Sequence, residues 1–390
     1  MEKLFGKFNS LRHYRATSES SDRGIDWWLV GACLPIVAAG IMTMYSFTGD
    51  NSFATHQLVW VVVALVIFFI VSKIDVRFLR STRVLVTLFI IICLALVALF
   101  VVGKISHGAS SWFSFGLFSF QPSDFAKLVL IVVLAKYFSR RHIEIANFRH
   151  LIISGVYAFI LFALVIVHPD LGSAMIIFFI WLGMVMVSGI SKKHLLVLAG
   201  LAIIIASLVW SFGLKEYQKD RIRNFIDPLG DIHGAGYNAY QSTIAVGSGG
   251  VLGKGLGYGT QSRLKFLPEY QTDFIFAAFA EEWGFVGVFI LFSLYGIIIW
   301  RIILHASRGA TNFEILYGAG AAVFFIVHIT VNVGMNIQLL PVTGTPLPFM
   351  SYGGTHLVTE FLVIGILMAM RRYSRPIHKD LAKNEFIGPQ

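Results

Sequence analysis

Charge is what this 390-residue chain has least of: Asp, Glu, Lys and Arg make up 13% of it, against 56% hydrophobic residues and a mean hydropathy of +0.75. A soluble globular chain carries about one quarter charged residues, so a water-soluble class is excluded and an integral membrane protein remains. Cysteine is nearly absent. Its two copies, Cys33 and Cys93, lie inside apolar runs, which excludes a disulfide framework and a cysteine metal site. Proline is scarce, ten in all, and three of the ten crowd between Pro341 and Pro348. There is no repeat of solenoid length and no low-complexity tract. A cleaved leader is not expected either, because the first apolar run, Trp27 to Phe47, is too long for a signal-peptide core. The net charge of +10 raises nucleic-acid binding as a reading. The basic residues fall between apolar runs and form no stripe with aromatics, so no nucleic-acid partner is expected.

What is present is a series of apolar runs long enough to cross roughly 30 Å of hydrocarbon. They lie at about 27–47, 54–72, 84–103, 122–138, 150–167, 172–190, 194–212, 273–300, 314–340 and 355–370. Lys and Arg alternate in the short connections between them, abundant in the amino-terminal tail, the second and fourth loops and the carboxy-terminal tail, and absent from the first, fifth and ninth. Basic residues in short loops stay on the cytoplasmic side. The pattern predicts an all-α polytopic membrane protein of ten helices with both termini cytoplasmic. Its large extracytoplasmic loop, 213–272, joins helices seven and eight. Residues 27–370 then form a single transmembrane domain, flanked by cytoplasmic tails at 1–26 and 371–390.

Eleven of the 60 residues in 213–272 are Gly, which argues for a backbone folded closely over something. The run "GSGGVLGKGLGYG" is no nucleotide-binding loop, since Gly255 stands where Ser or Thr is needed after Lys254.

Polar features gather on the predicted outer side. Asp124 and Lys127, at i and i+3 behind Pro122, share a helix face just inside the membrane, as a functional pair or a snorkelling ion pair. Asp170 in "HPDLG" either caps the next helix or binds a ligand. The stretch Leu339 to Gly354, "LLPVTGTPLPFMSYGG", cannot be helical, and irregular backbone at membrane depth survives only where protein or water covers it. Just before it, His328, Asn332 and Asn336 make a stripe that faces the bundle interior. In "FLPEYQTDFIFAAFAEEWGF", a helix starting at Thr272 places Asp273 on the small-residue face of Ala277, Ala280, Gly284 and Gly287. Asp273 at an outer mouth, in the first turn of a helix, suits proton acceptance or cation binding. Glu281 and Glu282 read as buried acids paired elsewhere in the bundle.

The segments "QSTIAVGSGGVLGKGLGYGTQSRLKFLPEYQTDFIFAAFAEEWGFVG" and "PVTGTPLPFMSYGG" resemble signatures of the SEDS family (shape, elongation, division and sporulation proteins), and the similarity runs from the first helix to the last. "GTQSRLKFLPE" followed by "TDFIF" is more similar to the elongation (RodA) branch than to the division (FtsW) branch. The resemblance implies a peptidoglycan glycosyltransferase of the bacterial cytoplasmic (inner) membrane. Such an enzyme polymerises lipid II with inversion, releasing undecaprenyl pyrophosphate beside a class B penicillin-binding protein. It implies Asp273 as the base. Trp112 and Lys127 match a functional third-loop motif, and Arg221 and Arg223 in "RIRNFIDP" match a basic segment that could hold phosphates. Asp124, Asp170, Lys254, Glu269 and Ser351 complete the substrate-binding candidates. No cofactor is required by the resemblance, with a divalent cation (Mg or Mn) at the pyrophosphate left open. Three departures stand out: Ser110 and Ser111 precede Trp112 where a basic residue is frequent, Asp124 replaces Glu, and His168 replaces Gln. A transporter that flips lipid II is the rival class, and it would need ionisable groups along a path through both leaflets.

Overall fold

In the computed structural model the described residues are 24–47, 52–102, 104–106, 109–115, 118–140, 148–168, 170–190, 194–198, 235–264, 266–267 and 269–373, with positions 200, 207, 210, 211, 219, 223 and 225 between them. The long helices are α1 (Trp27–Phe47), α2 (Ser52–Val71), α3 (Thr82–Val102), α4 (Pro122–Ser139), α5 (Phe148–Val167) and α6 (Leu171–Val187), then α7 (Ala235–Ser248), the single turn α8 (Thr260–Arg263), α9 (Ile275–Ser307), α10 (Asn312–Asn336) and α11 (Gly354–Tyr373). Seven of them are long and apolar enough to cross a membrane, so the protein is a multi-pass membrane protein. Nine of the ten apolar runs coincide with described helices. The run at 194–212 lies mostly outside the described residues.

The helical class holds, with one small addition. The chain is not purely helical: β1 (Lys104–Ser106), β2 (Ala109–Phe115) and β3 (Phe118–Phe120) form a small antiparallel sheet, with Lys104 opposite Trp112 and Phe113 opposite Phe120. Its second and third strands are rich in aromatics, which favour a pleated strand over an irregular loop.

The helices sort by how much protein covers them. On α2 and α3 large apolar side chains such as Val59, Val62, Val66, Ile91 and Leu94 are exposed at helical spacing. That surface is stable against lipid and would be costly in water. The centre belongs to α4, α10 and α11, and on α11 every residue from Gly354 to Ile366 except Leu362 is buried. Around them α11 packs on α2, α9 on α1 and α10, and α10 on α4 and α6.

The bundle has two distinct ends. At one, the starts of α4, α6 and α11 meet: Gln121 Nε2 and Ser123 Oγ donate to Asp170 Oδ2 (both 3.2 Å), and Thr355 Oγ1 donates to the Ser119 carbonyl (2.7 Å). At the other, Arg80 pairs with Glu314, and Asp26 takes Arg301 Nε (2.6 Å) and His305 Nε2. The second end is rich in arginine.

Candidate active site

Asp273 sits in a run of turns directly before α9, whose helical bonds begin at Ile275 with Phe274 as cap residue. This corrects the expected helix start at Thr272: Glu269, at φ +52°, turns the chain so that its carbonyl accepts from the amides of Thr272, Asp273 and Phe274. Those bonds close a compact turn and leave no room for an earlier helix. Asp273 is half-buried.

The turn is gripped on two sides. Asn332 and Asn336, one helical turn apart on α10, each donate a side-chain amide to the Asp273 carbonyl at 3.0 Å. Asn332 also donates to the Thr345 carbonyl (2.7 Å), and Asn336 Oδ1 accepts from the Ala277 amide (3.2 Å). The polar stripe therefore fastens the Asp273 turn to the proline-rich strip, with each amide satisfied inside the bundle. On the other side Ser351 Oγ donates to the Thr272 carbonyl (2.7 Å), and the Tyr352 amide donates to the Gln271 carbonyl (2.8 Å). Ser351 also accepts from the Leu347 amide (2.7 Å) and is buried, so it acts as a pin of the site's backbone. Glu269 Oε2 accepts from Thr272 Oγ1 (3.2 Å) within the same turn.

The strip 341–352 is irregular, with Thr343, Thr345 and Leu347 to Ser351 buried by protein and Gly344 exposed, as fits irregular backbone that lines a cavity. At its middle Gly344 takes φ +72°, and a Cβ there would lie 3.4 Å from Asp273 Oδ2. On its other flank Gly172 faces the Thr343 carbonyl, where a Cβ would come within 2.6 Å. One strip thus brings the Asp273 turn and the "HPDLG" turn to the same end of the bundle. Asp170 caps α6 by accepting from the Ser173 amide (2.9 Å). His168 is buried, its Nε2 2.8 Å from the Leu96 carbonyl, and ties that turn to α3.

Asp124 and Lys127 do not snorkel. They pair at 2.9 Å with side chains 3% and 1% exposed, deep between α4 and its neighbours. Two residues that sequence reasoning passed over complete the array. His356 Nδ1 lies 3.5 Å from Asp124 Oδ1, and His356 Nε2 lies 2.7 Å from Glu360 Oε1. The i, i+4 spacing of His356 and Glu360 was visible in the sequence, but nothing there showed that it faces Asp124.

Other candidates fall elsewhere. Lys254 Nζ is 2.7 Å from Glu281 Oε1, which also accepts from the Thr260 amide (2.8 Å) and, like Oε2, from the Gln261 amide (3.2 Å). Glu282 accepts from the Gly257 amide (2.6 Å) and Ser46 Oγ (2.7 Å). Both glutamates therefore hold the glycine-rich loop, and the lysine's charge is committed to that loop. The loop bonds backbone to backbone with α9 through Lys254, Gly255, Phe285 and Val286, and α9 breaks there at Gly284 (φ +62°, ψ −165°). Trp112 lies on β2, and its side chain and Arg221 are outside the described residues. Arg223 is described alone, helical and exposed.

The chain is similar to known proteins in both sequence and overall fold. The family model of FtsW, RodA and SpoVE, described as cell cycle protein, matches residues 25–376. The peptidoglycan glycosyltransferase MrdB of Escherichia coli K12 is 35% identical over 353 residues, covering 89% of this chain and 94% of that protein. Stage V sporulation protein E of Bacillus subtilis is 34% identical over the same shares. Among solved structures, a chain of a peptidoglycan synthase complex that coordinates polymerization and crosslinking superposes with TM-score 0.77 at 30% identity, covering 90% of this chain and 99% of that one. The Thermus thermophilus rod shape determining protein RodA superposes with TM-score 0.67 at 29% identity, covering 90% and 98%.

Proposed function

The chain belongs to the FtsW, RodA and SpoVE family of cell cycle proteins and is a peptidoglycan glycosyltransferase, and from that premise we propose how its residues act. The substrate is lipid II, and the role is cell elongation and shape. The 4-hydroxyl oxygen of the acceptor disaccharide attacks the anomeric carbon of the donor. As that bond forms, the bond from the anomeric carbon to the pyrophosphate oxygen breaks with inversion, and undecaprenyl pyrophosphate leaves with the electron pair. Asp273 takes the hydroxyl proton as general base. A pyrophosphate leaving group needs positive charge rather than a general acid, a role that falls to Lys127 and to the basic segment of Arg221 and Arg223.

The observation that carries this reading is the fastening of the Asp273 turn by Asn332, Asn336 and Ser351, which fixes the backbone that bears one half-buried carboxylate at the mouth of the bundle. A base must be held this firmly to meet a substrate hydroxyl in one geometry. We infer a ten-helix topology with both termini cytoplasmic, on which this mouth faces outward from the cytoplasmic (inner) membrane of a bacterium and the arginine-rich end faces inward, in keeping with basic residues staying inside. Residues 27–370 make one transmembrane domain, and a class B penicillin-binding protein is the partner that crosslinks the product. Among the described residues no three His, Cys, Asp or Glu side chains group to hold a metal ion by themselves; Mg or Mn bound through the pyrophosphate would need only one or two carboxylates.

The test is purified protein with lipid II and its transpeptidase partner, scored for glycan polymer. Asp273→Asn should lower the rate about 100-fold or more. Polymerisation at the normal rate by that variant would sink the base assignment, and no polymer from the wild type would favour transport. A chelator in the same assay reads the contribution of Mg or Mn.

A further inference from the structure

We propose that His356 and Glu360 are positioning residues: they lock the Asp124–Lys127 ion pair of α4 to the strip that holds Asp273, so the two charged parts of the site keep one relation. The proposal rests on the assignment of Asp273 and Lys127 given above.

Glu360 uses both oxygens. Oε1 lies 2.7 Å from His356 Nε2, and Oε2 accepts from the Phe349 amide at 2.8 Å. His356 Nδ1 in turn lies 3.5 Å from Asp124 Oδ1, the same oxygen that Lys127 Nζ meets at 2.9 Å. Phe349 is not glycine, yet it sits in the left-handed region at φ +62°. Such a residue persists only where its surroundings over-determine it. Here the Glu360 bond fixes its amide, and its ring packs 5.3 Å from both Phe325 and Phe361. Two residues on, Ser351 and Tyr352 bond to the carbonyls of Thr272 and Gln271, beside Asp273. An unbroken series of contacts therefore runs from Lys127 through Asp124, His356, Glu360 and Phe349 to the Asp273 turn.

Packing alone does not explain these groups. All four ionisable side chains are buried in the centre of the bundle, on helices whose other buried residues are chiefly apolar. Apolar side chains of similar volume would fill that space without the desolvation that buried charges suffer. What charged groups add is mutual attraction at fixed places: Lys127 hydrogen-bonds Asp124, Glu360 hydrogen-bonds the Phe349 amide, and His356 stands between the two carboxylates at ion-pair distance. His328, whose ring lies 5.2 Å from that of His356, bonds to the Phe324 carbonyl of its own helix and packs against the array from α10.

The experiment uses the full-length protein with its transpeptidase partner and varies lipid II concentration for Glu360→Gln, His356→Gln, Asp124→Asn and the double variant Glu360→Gln/Asp124→Asn. Glu360→Gln keeps an acceptor for the Phe349 amide but not the charge facing His356. It should lower kcat about 10- to 100-fold through misplacement of the base, with KM within about threefold. Thermal unfolding should come earlier than in wild type, because a partner of a buried pair is removed, so the rates are read well below that transition. The double variant should be no slower than the slower single variant, because both substitutions break the same bridge. If Glu360→Gln does not fold, His356→Gln, which leaves the Glu360–Phe349 bond intact, carries the same expectation. A folded variant with kcat within about twofold of wild type would overturn the proposal, as would losses that multiply in the double variant. Asp273→Asn run alongside separates the two readings: if it is inactive while Glu360→Gln is normal, the base stands and the bridge falls.

Discussion

Replacing Glu281 tests whether the glycine-rich loop is fastened to α9 or merely lies over it. Its carboxylate accepts from four donors on the loop, Lys254 Nζ at 2.7 Å, the Thr260 amide at 2.8 Å, Thr260 Oγ1 at 3.0 Å and the Gln261 amide at 3.2 Å. Hydrogen bonds to a charged group contribute about 1.5–3 kcal/mol each. Lys254 is partly exposed and regains water when released, so its share falls at the low end. Glutamine keeps one acceptor and loses the charge, so Glu281→Gln should weaken the attachment by about 3 kcal/mol, counting two lost bonds at the low end. Alanine, which also leaves the two amides without a partner, should weaken it further. A local loss of about 3 kcal/mol raises the opening equilibrium roughly 150-fold. The assay is amide hydrogen exchange on purified protein, read at Lys254, Gly255 and Gly257, whose amides bond to Glu281 and Glu282. Exchange there should accelerate by about that factor, while α11 amides keep wild-type rates. Unchanged exchange across 249–264 in both variants would refute the reasoning, and equal acceleration everywhere would show global rather than local loosening.

Two further expectations concern the glycine-rich loop and the opposite end of the bundle. At Gly253 (φ +82°) a Cβ would fall 2.0 Å from the Glu282 carbonyl oxygen, whereas Gly250 (φ +57°) has open space around its Cβ position. Gly253→Ala should therefore cost well over the ~1–2 kcal/mol of left-handed alanine and Gly250→Ala only about that much, a contrast that thermal unfolding and the same exchange assay measure. At the opposite end, burial works against the charge of the Asp26 carboxylate, but His305 and Arg301 beside it prevail and hold its pKa well below the usual range. Its stabilisation is then complete above the unfolded carboxylate pKa of about 3.9 and is lost as pH falls below it. Asp26→Asn should lower stability by about 3 kcal/mol at pH 7, with the gap to wild type narrowing below about pH 4 in a pH series of thermal unfolding. A gap that does not change with pH would contradict this.

The two glutamates of α9 show where the sequence stops being informative. Their residue types and depth along an apolar run already required partners, because an unpaired carboxylate in hydrocarbon is too costly. Their actual partners, an amide and a lysine from a loop about 25 residues earlier and a serine from α1, depend on a break at Gly284 that periodicity cannot register. Likewise Asn332 and Asn336 were readable as an inward stripe, but that both clasp the carbonyl of Asp273 was not. Hydropathy and spacing alone determined that this chain lives in a membrane and which long apolar segments among the described residues are helical. Those properties follow from transfer free energy and helical period, which are local. The tertiary structure alone decided that His356 and Glu360 face Asp124, and that one proline-rich strip joins the turns of Asp170 and Asp273. Contacts between segments 80 to 230 residues apart leave no mark on the local pattern of either partner.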